Sequence, residues 1–209
     1  MEFSYYPVTL AIIIITVLIS IKAFNDADFK YKWIYYPYKV KRENEWYRLV
    51  SHIFIHGDYL HLFFNMFVLY SFGQMLEILF IVEYGRPMGH IHFFLLYFLG
   101  ALAAGVWPFL RNADNPNYMS LGASGAVSAV LFASILWYPQ GGIYLMFIPV
   151  EIPAWLFGIV YLGFEYYMSK KGSTGIAHDA HFGGAVFGLI YVLVINFDKA
   201  GEFVHHILN

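Results

Sequence analysis

Long apolar stretches without charged residues divide the chain. No Asp, Glu, Lys or Arg occurs in five of them, which run from Phe3 to Ile21, Tyr59 to Leu76, Pro87 to Leu110, Asn115 to Val150 and Ala180 to Phe197. A bilayer core about 30 Å thick needs about 20 apolar helical residues to cross it. These stretches therefore predict membrane-spanning helices.

The fourth stretch is too long for one helix. It contains the helix-breaking run Tyr138-Pro139-Gln140-Gly141-Gly142, and another apolar segment follows from about Ala154 to Met168. We therefore predict a single membrane domain over 1–209 with six spans, at about 7–24, 59–82, 90–110, 124–137, 154–168 and 180–197. The predicted fold is an all-α bundle with a long interfacial first loop at 25–58, whose aromatic and basic side chains suit the headgroup layer.

Composition excludes several classes of protein. Of the 209 residues, 60% are hydrophobic and only 12% charged, with no Cys and a net charge of -2. These values argue against a nucleic-acid binder, a disulfide scaffold, a thiol protease and a zinc–thiolate site. We expect the lipid bilayer as a partner and no nucleic acid.

The predicted fourth span is short for a membrane helix. Its 14 residues, Ser124 to Trp137, reach only about 21 Å, so the preceding segment Asn112 to Ala123 must dip into the membrane. Irregular backbone at that depth is stable only where it is packed in protein or lines a wet cavity. We expect Ser124 to begin a helix at the floor of an aqueous pocket.

Polar residues of three spans are predicted at one membrane depth. The second, fourth and sixth spans run in the same direction, and their first turns contain His61 and Asn65, then Ser124, then His178 and His181. A hydroxyl is a weak nucleophile until a base takes its proton, and imidazole suits that task at neutral pH. The pattern predicts a Ser124–His181 pair, with His61, Asn65 and the N–H groups at the start of the fourth span as oxyanion donors.

Small residues on the fourth and sixth spans predict how Ser124 and His181 come into contact. Gly184 and Gly188 form a small ridge on the sixth span, and Gly125 with Ala129 forms another on the fourth. We expect these two helices to pack closely.

Several motifs around these residues resemble those of the rhomboid family of intramembrane serine proteases. Gly122-Ala123-Ser124-Gly125 resembles the family's GxSG motif, residues 61–65 (HLFFN) its HxxxN pair, and residues 180–188 (AHFGGAVFG) its AHxxGxxxG segment. Residues 45–48 (EWYR) and 73–77 (GQMLE) resemble the family's first loop and second helix. The likeness covers about residues 45–190, in the family's order.

The resemblance implies a six-helix serine endopeptidase that cuts transmembrane segments of membrane proteins without metal or cofactor. It implies that Ser124 is the nucleophile and His181 the general base and then acid. The oxyanion and substrate-stabilising residues that it implies are His61, Asn65, Gly122 and Ala123. It also implies a mobile cap at 169–178 and a lateral substrate gate at the fifth span.

Two positions depart from the family pattern. Tyr47-Arg48 stands where Trp-Arg is usual, with Trp46 one place earlier. Ser128 stands where an aromatic residue usually packs under the catalytic histidine. The sequence therefore leaves open what supports the His181 ring.

The resemblance implies a cell membrane, plasma or bacterial inner, with a cytoplasmic N-terminus and a site open to the extracytoplasmic side. In that arrangement 2 of the 12 Lys and Arg lie on the cytoplasmic side and 10 on the other. The positive-inside rule favours the opposite orientation. We follow the family, because seven of the ten belong to one long connection.

Each candidate residue also has a structural interpretation. Ser124 alone is typical of a helix contact, and Asn65 of a hydrogen bond between helices. Two histidine pairs have spacings that suit a metal ion, namely His52 with His56 and His178 with His181. The alternatives are therefore a non-proteolytic protein that binds or transports a metal, and an inactive rhomboid-like binder.

Other hydrolase classes fit poorly. Ala126 stands where the GxSxG motif of α/β-hydrolases needs Gly, and no HExxH or HxxEH metalloprotease motif occurs. Glu165, inside the fifth span, is interpreted as a satisfied carboxyl, with gating as its alternative role.

Overall fold

Apolar helices make up most of the chain in a computed structural model that describes residues 6–144, 150–171 and 177–208. In these residues the helices are α1 Pro7–Asn25, α2 Ala27–Trp33, α3 Pro37–Glu43, α4 Arg48–Ser51, α5 Tyr59–Val68, α6 Gln74–Tyr84, α7 Arg86–Asn112, α8 Ser124–Trp137, α9 Ala154–Lys171, α10 His178–Ile195 and α11 Asp198–Leu208.

Four of these segments are long and apolar enough to cross a membrane: Pro7–Asn25, Tyr59–Tyr84, Arg86–Asn112 and His178–Ile195. Helix α8 is apolar but shorter. The chain is therefore an integral membrane protein with a mostly helical bundle.

The segment Tyr59–Tyr84 is continuous because a π-helical turn at Leu69–Gly73 joins α5 to α6. A Cβ atom at Gly73 would lie 3.1 Å from Thr9 Cγ2 and 3.2 Å from Phe93 Cζ. Glycine at this position therefore lets α1 and α7 approach the turn.

Helix α8 lies at the centre of the bundle. All of its residues from Gly125 to Trp137 are buried, as is typical of a helix that is apolar on every face. Cβ atoms at Gly184 and Gly188 would overlap the main-chain oxygens of Gly125 and Ala129. The predicted close packing of α10 on α8 is confirmed.

The segment between α1 and α5 folds as short helices around a buried arginine. Arg48 is 1% exposed; its Nη1 donates to the main-chain oxygens of Tyr31 and Ile34, 2.8 Å away in each case, and its Nε donates to Glu45. Trp46, by contrast, has an exposed side chain. Arg48 therefore organises this segment, although the Trp of the usual Trp-Arg pair is displaced.

Two elements lie outside the sequence predictions. Strands β1 Gly142–Tyr144 and β2 Glu151–Pro153 pair antiparallel, with Ile143 opposite Ile152. Helix α11 follows the last predicted span, and its Phe203 packs against the core.

A buried carboxylate ties the start of α1 to the bundle. Glu77 is fully buried; its Oε2 accepts hydrogen bonds from the N–H and the hydroxyl of Thr9, and its Oε1 accepts from Val8 N–H and His90 Nδ1. The first N–H groups of a helix have no acceptor inside that helix. Glu77 satisfies two of them and joins α1, α6 and α7.

We expect Glu77→Gln to destabilise the protein by about 3 kcal/mol, because an amide puts a donor where the carboxylate accepts and leaves buried donors unpaired. The measurement is thermal unfolding in detergent. Glu83→Gln is the matched control, since Glu83 is exposed and its carboxylate accepts a hydrogen bond from Asn196. Equal unfolding temperatures for the two variants would contradict this account.

Candidate active site

Helix α8 begins at Ser124, after a loop that hydrogen bonds hold in place. Gly122 N–H donates to the main-chain oxygen of His52 at 3.0 Å, and Ala123 N–H donates to His56 Nε2 at 3.3 Å. Two residues before Gly122, Ser120 exchanges main-chain hydrogen bonds of 2.9 and 3.1 Å with Tyr35. Polar backbone groups at membrane depth need such partners inside the protein.

The two histidines that hold this loop are neutral structural groups. Burial lowers the pKa of His52 to about 4, and its Nδ1 donates to the main-chain oxygen of Arg48. Burial, followed by the charge of His61, lowers the pKa of His56 to about 3. Because His56 Nε2 accepts from Ala123, its Nδ1 donates to Ser20 Oγ, 2.9 Å away.

Ser124 and His181 are in direct contact. Ser124 Oγ lies 2.6 Å from His181 Nε2, a distance typical of a hydrogen bond. Each residue lies in the first turn of its helix, α8 or α10, and the His181 side chain is 14% exposed. This arrangement is that of a hydroxyl nucleophile beside a general base.

The other ring nitrogen of His181 faces a carboxylate. His181 Nδ1 lies 3.1 Å from Glu165 Oε1, and His178 Nδ1 lies 2.6 Å from Glu165 Oε2. The side chain of Glu165 is only 5% exposed. Sequence reasoning missed this contact, although helix direction held a signal: the end of the fifth span and the start of the sixth lie at one depth, which puts Glu165 level with His181.

His61 lies against the loop that precedes the nucleophile. Its Nδ1 accepts from Gly57 N–H at 3.4 Å, so Nε2 carries the ring hydrogen in the neutral form. A Cβ atom at Gly122 would lie 2.7 Å from His61 Cε1 and 2.8 Å from its Nε2. The donor side of this ring therefore faces Gly122.

Some of the expected oxyanion donors already donate a hydrogen bond within the protein, and others keep an N–H available. Gly122 and Ala123 already use their main-chain N–H groups on the first loop, which corrects the expectation of free donors at these residues. Asn65 is buried and donates one amide hydrogen to the main-chain oxygen of His61, which leaves its second amide hydrogen. The first-turn N–H of Ser124 has no acceptor within its own helix.

A cavity of about 20 Å³ lies beside Ser124. Its lining includes Tyr35, Ala104, Gly122, Ser124 and Ala180. This volume holds about one water molecule. Part of the expected cap, residues 172–176, lies outside the described residues.

One cluster of side chains could hold a metal ion. Ligand atoms of Glu165, His178 and His181 all lie within 4.8 Å of one another. Two imidazole nitrogens and a carboxylate are ligands that zinc accepts. A metal there would take the places now filled by the hydrogens of both Nδ1 atoms.

Comparison with known proteins shows the family to which this chain belongs. Residues 43–196 match the family model described as Rhomboid domain, and the chain belongs to the rhomboid family. The resemblance drawn from the motifs is confirmed.

Particular relatives share only part of their length with this chain. It is similar to RHOMBOID-like protein 12, mitochondrial, of Arabidopsis thaliana (31% identical over 157 residues, 68% of this chain and 44% of the relative). It is also similar to Rhomboid protease GluP of Bacillus subtilis (29% over 167 residues, 80% of this chain and 29% of the relative). Rhomboid protein 1, mitochondrial, of Saccharomyces cerevisiae is 29% identical over 147 residues, 68% of this chain and 40% of the relative. The match thus spans less than half of each of these relatives.

We predict that Gly122→Ala slows labelling of Ser124 by a serine-directed fluorophosphonate at least ~10-fold, because the added methyl group meets the His61 ring. The strain of a positive φ alone costs about 1–3 kcal/mol. Gly85→Ala is the matched control, since Gly85 also has positive φ, at 78°, but nothing lies within 4 Å of its Cβ position. Native labelling in Gly122→Ala, or an equal loss in Gly85→Ala, would contradict the prediction.

Proposed function

We propose that this chain is an intramembrane serine endopeptidase that cleaves transmembrane segments of other membrane proteins. The observation that carries the proposal is the 2.6 Å hydrogen bond between Ser124 Oγ and His181 Nε2. Membership of the rhomboid family supports it, because a relative in that family is named a protease.

In the proposed reaction, Ser124 Oγ attacks the scissile carbonyl while His181 Nε2 takes its proton. The tetrahedral oxyanion is stabilised by Ser124 N–H, His61 Nε2–H and the second amide hydrogen of Asn65. One such donor is typically worth about 3–4 kcal/mol in the transition state. His181 then protonates the leaving amine. Water, deprotonated by His181, attacks the acyl carbonyl, and His181 returns that proton to Ser124 Oγ as the acyl group leaves. No step needs a metal or a cofactor.

The proposed membrane arrangement has six spans: α1, the α5–α6 segment, α7, α8, α9 and α10. Four of these segments meet the length and hydropathy of a span, and α8 is enclosed by the others. Helix α9 has only three buried residues, Ala154, Gly158 and Glu165. This sparse packing supports α9 as the lateral entry for a substrate helix.

A metal-binding or transport role is the second candidate. The observation that favours it is the Glu165–His178–His181 cluster. In that case the histidines serve the ion, and Ser124 has only a structural role. Chelation separates the two candidates, because the serine mechanism is independent of metal.

We predict that the purified chain cleaves a model transmembrane substrate in detergent, and that Ser124→Ala and His181→Ala each lower kcat at least ~10³-fold. A chelator leaves cleavage unchanged. Ser134→Ala is the matched control, because Ser134 lies on the same helix and donates only to Val130 of that helix.

Cleavage that persists in Ser124→Ala, or that stops on chelation, would overturn the serine mechanism. Histidine-dependent uptake of a metal ion into liposomes would support the second candidate.

We also propose that the N-terminus and C-terminus lie in the cytoplasm and that the site opens to the opposite side of a cell membrane, plasma or bacterial inner. Six spans place both termini on one side. A reporter fused after Asn209 tests this in a bacterial inner membrane: we predict a cytoplasmic reporter. An extracytoplasmic reporter, which the positive-inside count favours, would contradict the proposed orientation.

A further inference from the structure

We propose that Glu165 is a positioning residue for His181: it accepts a hydrogen bond from Nδ1 and so fixes Nε2 as the nitrogen that takes the Ser124 proton. This inference rests on the proposed function. It adds a third residue to the nucleophile–base pair of Ser124 and His181.

The His181 ring lies between its two partners. Nε2 is 2.6 Å from Ser124 Oγ, and Nδ1 is 3.1 Å from Glu165 Oε1. An ionised carboxylate only accepts hydrogen bonds, so the hydrogen of neutral His181 lies on Nδ1. The lone pair of Nε2 then faces the serine hydroxyl, as general-base catalysis requires.

The carboxylate is itself held in one orientation. His178 Nδ1 lies 2.6 Å from Oε2, so each oxygen of Glu165 has one imidazole partner. The side chains of Glu165 and His178 are each only 5% exposed. With both oxygens occupied in a buried position, the plane of the carboxylate is fixed relative to the His181 ring.

A contact between α8 and α9 explains why Ser128 is compatible with this arrangement. Ser128 Oγ lies 3.1 Å from the hydroxyl of Tyr161. Ser128 is one helical turn after Ser124, and Tyr161 is one turn before Glu165. A small residue at 128 makes room for the ring of Tyr161, which packs 5.6 Å from the ring of Phe132.

Support for His181 therefore comes from α9 instead of from an aromatic residue on α8. Beyond Glu165, only Ala154 and Gly158 of this helix are buried, and its half-buried Tyr161 and Leu162 pack against an apolar cluster that includes Phe132 of α8. A displacement of α9 from α10 would break the Nδ1 hydrogen bond.

The test compares cleavage kinetics of the native chain, Glu165→Gln and Glu165→Asp in detergent, each with and without chelator. An amide beside Nδ1 permits the wrong tautomer, so we expect Glu165→Gln to lower kcat by ~10²- to 10⁴-fold while KM stays within ~2-fold. Glu165→Asp keeps a carboxylate acceptor, and its kcat is expected to be at least ~10-fold higher than that of Glu165→Gln. Glu151→Gln, the same substitution outside the site, is the matched control and stays at the native rate.

The second readout is the histidine tautomer, measured by ¹⁵N NMR of histidine-labelled protein, with His181→Ala to assign the resonance. Neutral His181 is expected as the Nδ1–H tautomer in the native chain, and as a mixture or the Nε2–H tautomer in Glu165→Gln. An Nε2–H tautomer in the native chain would overturn the inference, whether or not Glu165→Gln folds.

The kinetic outcomes are equally decisive. An unchanged kcat in Glu165→Gln, or an effect on KM alone, would overturn the positioning role. Loss of native activity on chelation would assign the cluster to a metal ion. If the native chain fails to cleave at all, the proposed function fails, and the native tautomer still tests the contact with Glu165.

Discussion

The close approach of α8 and α10 is the contact on which the site depends. It exists because Gly184 and Gly188 present no side chain to the main-chain oxygens of Gly125 and Ala129. Helix axes separated by larger side chains would place Ser124 and His181 beyond a hydrogen bond, since the two residues lie at the start of the same interface. Two glycines that take no part in the proposed chemistry therefore set the distance between the proposed nucleophile and base.

A second constraint is that α8 begins inside the bundle, where lipid cannot satisfy its backbone. The segment between α1 and α5 supplies the partners: His52 through its main-chain oxygen and His56 through its ring. Arg48 in turn fixes that segment by donating to its main-chain oxygens. The N–H groups of Gly122 and Ala123 are used for this purpose, so in the proposed reaction stabilisation of an oxyanion falls to Ser124 N–H and side chains of α5.

Sequence patterns predicted those features that depend on the spacing of apolar and charged residues and on the direction in which each helix crosses the membrane. The gaps between charged residues predicted the position of α8, and the shared direction of the spans predicted that Ser124 and His181 lie close together. The same patterns could not predict the rotation of α9 about its axis, which decides whether Glu165 faces His181 or lipid. They also missed the β1–β2 hairpin, because strands of three residues are too short to show an alternation. Helix α11 was missed although Phe203, Val204 and Ile207 have helical spacing, because it begins after the last charge-free stretch.

In the proposed mechanism Ser124 is an activated nucleophile with donors positioned for the oxyanion. The most direct measurement is an experimental structure of the chain after reaction with a serine-directed phosphonate. We expect phosphorus bonded to Ser124 Oγ and the phosphonyl oxygen accepting hydrogen bonds from Ser124 N–H and His61. His181 Nε2 is expected within hydrogen-bond distance of Ser124 Oγ or of the position that the leaving group of the phosphonate occupied. An unmodified Ser124, or a phosphonyl oxygen turned away from both donors, would contradict it.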